Sequence, residues 1–411
     1  MQYYYMLSIL LLFSVFIYYI NYIYLNIQNT TAITLHAFFF SLIIIFANKM
    51  SFFNFETSIK FFLEKVDFKN LLLNIILGLS LFSSSLSINL KKLLDYKWEI
   101  FSLAFITTIF STFLIGTIIY CILFFFKISI SYIYCLIFGS IISPTDPISV
   151  LSTTKKISTK LDLTTKISGE SLFNDGIGIV LFMMFYHMIF NHHLSFINLI
   201  FTVFLKETMG GVFFGFFLGI LSYNLIKRIK DPKLEVLISF CIATYGYNYA
   251  MQINISGPLS MVISGIIIGN FKTKNIITKK GKKYLYIFWE LIEDLLNYIL
   301  YLLIGLEIIL LSYKWYYIFL GLSAIPIVLF SRFITVGIPM NIFKIYRNYS
   351  PFIITILTWG GLRGGLAIAM ALSIPNYSPY YDIILFSTYS VVLFSIIFQG
   401  TSIEYIIKYK L

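Results

Sequence analysis

Apolar residues fall along the chain in blocks of about 20, the length a helix needs to cross a bilayer, and short polar segments separate the blocks. The blocks predict about thirteen membrane-spanning helices, near residues 5–26, 32–47, 68–89, 98–126, 131–151, 163–191, 197–226, 235–252, 255–270, 284–312, 315–343, 351–373 and 381–406. The connections are too short to hold a soluble domain, and the chain runs only a few residues past the last block. A single integral membrane domain over 1–411 is therefore expected, with no cytoplasmic regulatory tail. The first block has neither a basic segment ahead of it nor a small-residue cleavage site, and it reads as a first helix rather than a signal peptide.

Of the 411 residues, 59% are hydrophobic and 12% charged, about half the charge of an ordinary soluble domain. The fold class is an all-α polytopic membrane protein; a soluble enzyme, a nucleic-acid-binding module and a secreted disulfide scaffold are excluded. Lys and Arg number 30 against 18 Asp and Glu, but the excess sits in short clusters between apolar blocks. Nucleic-acid binding needs that charge gathered on a solvated face. Cys121, Cys135 and Cys241 each lie within an apolar block without CxxC spacing and read as small core residues, so no redox centre or cofactor is expected.

The basic residues also orient the chain. Loops on the side of the C-terminus hold 21 Lys and Arg, among them the lysine run from Lys272 to Lys283, against 7 on the opposite side. The positive-inside rule puts the richer side in the cytoplasm and the N-terminus outside a plasma or inner cell membrane. Arg332 and Arg363 fall inside spans.

A charge at the centre of a membrane helix costs about 2.5–3.5 kcal/mol on insertion scales, so such residues are functional candidates. The fifth span carries Ser143-Pro144-Thr145-Asp146-Pro147. Its prolines lack amide hydrogens and deprive the carbonyls of Ser140 and Ser143 of helical partners. Broken backbone at that depth needs protein or a water-filled cavity around it. The freed carbonyls beside Thr145 and Asp146 are hard oxygen ligands suited to a small cation. In the sixth span, Glu170 and Asn174, and likewise Ser171 and Asp175, are four residues apart and predict one wet polar stripe on a helix. Arg332, in the eleventh span, has apolar neighbours and requires a buried carboxylate partner. The twelfth span reads Trp359-Gly360-Gly361-Leu362-Arg363-Gly364-Gly365, a sequence poorly suited to unbroken helix. Interrupted segments at corresponding positions predict two inverted six-helix repeats, about 1–191 and 235–411, joined by the seventh span.

Taken in order, Ser143–Pro147, Gly169–Gly176, Gly257-Pro258-Leu259-Ser260 with Gly265–Asn270, Phe288-Trp289-Glu290, Gly305-Leu306-Glu307 and Trp359–Gly365 resemble the sodium/proton antiporters of the NhaP/NHE type. The likeness runs over nearly the whole chain. It implies a transport site centred on Asn174 and Asp175, with Thr145, Asp146 and Ser171 as the other site positions and sodium held by Asp175, Ser171, Thr145 and Asp146. It also implies a structural ion pair between Glu170 and Arg332, a charge-balancing role for Arg363 at the broken helices, and a homodimer. Relatives often carry an acidic residue in the third span; here that position is Ser83.

The mechanism expected is competition at one carboxylate: Asp175 holds a proton or a cation, never both. Because Asn174 is neutral, exchange is expected to be electroneutral and one-for-one. Sodium is the expected cation, with lithium or potassium as alternatives and a potassium/proton antiporter of the same fold as the runner-up. An intramembrane aspartyl protease using Asp146 and Asp175 lacks its Gly-x-Gly-Asp context here. A channel would need a continuous multi-site pore. His36, His187, His192 and His193 read as ordinary residues rather than pH sensors. Glu290, Glu293 and Asp294, near the Lys279–Lys283 cluster, read as a solvated interfacial face rather than a second ion site.

Overall fold

The computed structural model describes residues 2–50, 55–148, 150–151, 161–190, 204–270, 279–347 and 349–410. His192 and His193, and parts of the expected loops and of the seventh span, lie outside the described residues. The described chain is helical almost throughout. Its one β-type pairing is an isolated antiparallel bridge between Asp146 and Leu362.

Among the described residues, eight helices are long and apolar enough to cross a membrane: Tyr4–Leu25, Asn29–Lys49, Ile59–Leu86, Lys97–Phe125, Leu163–Phe190, Lys206–Ile226, Trp315–Tyr346 and Tyr381–Lys408. Each of the other expected blocks also contains helix. Tyr132–Ile142 and Gly257–Gly269 are apolar but short, Ile353–Trp359 and Gly365–Leu372 are two pieces, and Pro232–Gln252 and Lys279–Leu306 carry more polar residues. Length and composition thus establish a multi-span helical membrane protein without fixing the count at thirteen. Two stretches of helix were not expected, the short Leu90–Asp95 and the longer Phe55–Val66, which runs into the segment from Ile59. Phe55–Val66, in what reads as a loop, intersperses Glu56, Lys60, Glu64 and Lys65 with apolar residues, so a search for unbroken apolar blocks passes over it.

Contacts between helices use small and hydroxylated residues, as expected where lipid offers no hydrophobic drive for helices to associate. Ser41 Oγ reaches Gly305 O at 2.8 Å and Thr34 Oγ1 reaches Tyr301 O at 3.3 Å, joining Asn29–Lys49 to Lys279–Leu306. Gly257–Gly269 packs between Leu77–Leu86 and Lys206–Ile226, while Tyr132–Ile142 lies against Thr107–Phe125 and Leu161–Phe190. Large apolar side chains such as Phe39, Phe46, Phe216 and Phe330 point outward.

Lys166, one of the 21 basic residues assigned to loops on the side of the C-terminus, is instead part of the helix Leu161–Phe190 and is buried. Its ammonium lies 3.8 Å from the ring centre of Tyr349 and 4.5 Å from that of Tyr96. Beside it Tyr349 donates to Glu99 Oε1 at 2.6 Å, and Arg347 pairs with the same oxygen at 3.1 Å. The rings supply part of what the buried cation loses in leaving water.

Candidate ion-binding site

Two helices stop and restart side by side. The first, Tyr132–Ile142, gives way at Ser143, runs extended through Pro147 and is helical again from Ile148. Pro144 and Pro147 remove the amides that would have continued it. Asp146 Oδ1 accepts from the amide of Ile148 at 2.9 Å and so caps the restart. The second helix breaks between Ile353–Trp359 and Gly365–Leu372. The breaks cross, and the amide of Asp146 donates to Leu362 O at 2.8 Å.

Two glycines permit the crossing. A Cβ at Gly364 would sit 2.2 Å from Asp146 Oδ2, and one at Gly361 would sit 2.7 Å from Arg332 Nε. Arg363, only 2% exposed, extends Nη1 to Ser143 O at 2.5 Å and Pro144 O at 2.7 Å. This revises the expectation that the Ser143 carbonyl stands open to a cation. The guanidinium takes it, at the negative end of the first half-helix, where a positive charge is favoured.

The polar stripe of Leu161–Phe190 divides. Glu170 and Asn174 turn into protein and are buried, so the stripe is not wet over its whole length. Glu170 pairs with Arg332, both side chains being 3% exposed. Phe330 and Phe333 on either side of that arginine face outward. Asn174 Nδ2 donates to Thr145 Oγ1 at 2.8 Å, and Thr145 N approaches Asn174 Oδ1 at 3.4 Å. Ser171 Oγ donates to the Thr145 carbonyl.

Ser171 and Asp175 face a cavity of about 910 Å³ that is also lined by Thr145 and Asp146. All four residues expected to hold sodium therefore share one space, and Asn174 stands behind it. Asp146 Oδ2 accepts from Tyr301 OH at 3.0 Å. Asp175 is half-buried, and among the described residues no side chain or amide donates to its carboxylate.

Parts of this site leave no mark in the sequence. Tyr301 sits in an apolar run with nothing local to mark it, and its partner is 155 positions away. Glu290, Glu293 and Asp294, read above as a solvated interfacial face, line the same cavity as Asp175, together with Asn297 and Lys92. Ser83, at the position where an acidic residue is missing, hydrogen-bonds to Glu293 Oε2 at 2.7 Å, so a carboxylate reaches that place from another helix.

The sequence profile of the family described as "Sodium/hydrogen exchanger, transmembrane" matches residues 12–409. The chain belongs to the sodium/hydrogen exchanger family. Among similar members, the Na(+)/H(+) antiporter NhaP of Pseudomonas aeruginosa is 35% identical over 394 residues, covering 95% of this chain and 93% of that protein. The Na(+)/H(+) antiporter NhaH of Halobacillus aidingensis is 33% identical over 350 residues, 83% of each chain. The solved structure of the sodium proton antiporter MjNhaP1 from Methanocaldococcus jannaschii at pH 8 superposes with a TM-score of 0.74 at 18% identity, covering 96% of this exchanger-family chain and 97% of that one. At that identity the superposition speaks to the fold.

Proposed function

We propose that this exchanger-family protein is a secondary antiporter that moves protons one way and sodium the other across the cell membrane, by competition of the two ions for Asp175. The observation that carries the reading is a contrast among carboxylates. Glu170 has Arg332, Asp146 has Tyr301 and the Ile148 amide, and Glu293 has Ser83. Asp175, facing the cavity beside the crossed breaks, has no such donor among the described residues. An ionised carboxylate inside a membrane requires compensation. A proton or a cation supplies it, and one excludes the other.

Thr145, Asp146 and Ser171 give oxygen ligands beside Asp175. Glu170 with Arg332 is a structural pair, and Arg363 holds the first break in shape. Asn174 is neutral, so one ionisable group changes its guest in each half-cycle, and the exchange is electroneutral and one-for-one. The two halves, about 1–191 and 235–411, form inverted repeats, and the bundle that contains both breaks slides against the rest. The protein acts as a homodimer, with its N-terminus outside.

The test is dequenching of a pH-sensitive dye in proteoliposomes, titrated separately with sodium, lithium and potassium. Sodium-driven proton movement that is lost in Asp175→Asn and indifferent to membrane voltage is expected. Substantial exchange in Asp175→Asn removes the site assignment, voltage-dependent reversal removes the stoichiometry, and a response to potassium alone replaces sodium as the cargo.

A further inference from the structure

The cavity that reaches Asp175 contains a second concentration of oxygen atoms on its opposite wall. Helix Lys279–Leu306 places Glu293 and Asn297 one turn apart, on the same face. Asn297 is 4% exposed, lines the cavity, and its Oδ1 has no hydrogen-bond partner among the described residues. An amide oxygen shut away from bulk water without a donor is costly. Next to it, Ser83 Oγ lies 2.7 Å from Glu293 Oε2 and 2.9 Å from Trp289 O. A hydroxyl has one proton to give, and that of Ser83 is shared between these two acceptors. The wall is also held in place: Trp289 Nε1 donates to Ser239 Oγ at 2.9 Å, and its ring stacks obliquely on Phe82 at 4.7 Å between centroids.

We infer that Glu293, Asn297 and Ser83 form a second cation station, which takes a sodium ion from the cytoplasmic side and passes it to Asp175. Amide, carboxylate and hydroxyl oxygens suit a hard alkali cation, and among the described residues no thiol or imidazole lines this cavity to favour a softer metal. Glu290 and Asp294 flank the station along the same helix and give the approach a negative field; Lys92, also in the lining, is the one basic side chain there among the described residues. The station accounts for the serine at position 83: a glutamate from the facing helix occupies the space a longer acidic side chain would fill.

The station rests on the reading of Asp175 as the exchange site, and equilibrium binding of radioactive sodium to the purified full chain separates the two. Wild type is expected to bind two sodium ions per chain, Asp175→Asn one, and Asn297→Ala one. In proteoliposomes Asn297→Ala is expected to raise the cytoplasmic half-saturation for sodium about tenfold, in line with the loss of one metal-directed oxygen. If Asn297→Ala fails to fold, Glu293→Gln carries the same expectation. One bound sodium in wild type and none in Asp175→Asn overturns the station and leaves the exchange site standing. Unaltered binding and exchange in Asp175→Asn instead overturns the exchange site itself.

Discussion

Tyr301 donates its hydroxyl hydrogen to Asp146 Oδ2 at 3.0 Å, and this bond joins a broken helix to an unbroken one. Lys279–Leu306, which carries Tyr301, forms one wall of the cavity, and the first break forms another. If transport slides these walls past each other, the bond belongs to the conformation seen here. Tyr301→Phe should destabilise that conformation by about 1 kcal/mol, a shift of roughly fivefold in its population. A cysteine placed at Ser84, which lines the cavity, should then react with a water-soluble thiol reagent about fivefold more slowly. An unchanged rate would mean that the bond does not distinguish the two states.

Close approach at Gly364 gives a sharper test. A methyl group there meets Asp146 Oδ2 at 2.2 Å, so Gly364→Ala must move the carboxylate or part the two breaks. Exchange should fall by at least about tenfold, because small misplacements of a working group carry large rate penalties. The same dye assay reads it, and near-normal turnover would show that Asp146 need not stay where it is.

For the buried pair of Glu170 and Arg332, the direction of change depends on which partner remains. Glu170→Gln leaves an arginine uncompensated and should cost about 3–5 kcal/mol, visible as a lower yield and thermal midpoint in detergent. Replacing both, Glu170→Gln with Arg332→Gln, should recover much of that loss. A stable but inactive Glu170→Gln protein would give Glu170 a direct part in ion handling.

If protons and sodium compete for one carboxylate, the effect of pH is fixed. Lowering the pH loads Asp175 with protons and excludes sodium, so the half-saturation for sodium should rise about tenfold for each pH unit below the midpoint of the site. Raising the pH should bring it to a plateau. Half-saturation that is flat across the acidic range, measured by initial rates at fixed sodium gradients, would rule out a shared site.

How much of this the chain announced depends on the distance over which each feature is written. The apolar blocks are local, so the helical membrane architecture is readable from them. Pro144, Pro147 and the four glycines around Arg363 are also local, and both breaks occur where they stand. Pairings across the fold leave no local mark. The bare sequence demands a partner for Arg332 but does not say which; the family likeness named Glu170. Nothing near Glu293 or Asn297 tells that they turn toward the same cavity as Asp175, nor anything near Tyr301 that it reaches Asp146, and a cluster of lysines beside Glu290 suggests open water instead. The helix Phe55–Val66 escaped because its charges interrupt the apolar pattern at short intervals.

Main chain meets main chain where Asp146 N and Leu362 O join the two interruptions, and Arg363 fastens the seam from one side. Unwound backbone is ordinarily the softest part of a helix, yet here each soft stretch braces the other. Flexing that lets cargo in and out is then expected at the periphery, in the connections between bundles, with the braced middle staying rigid.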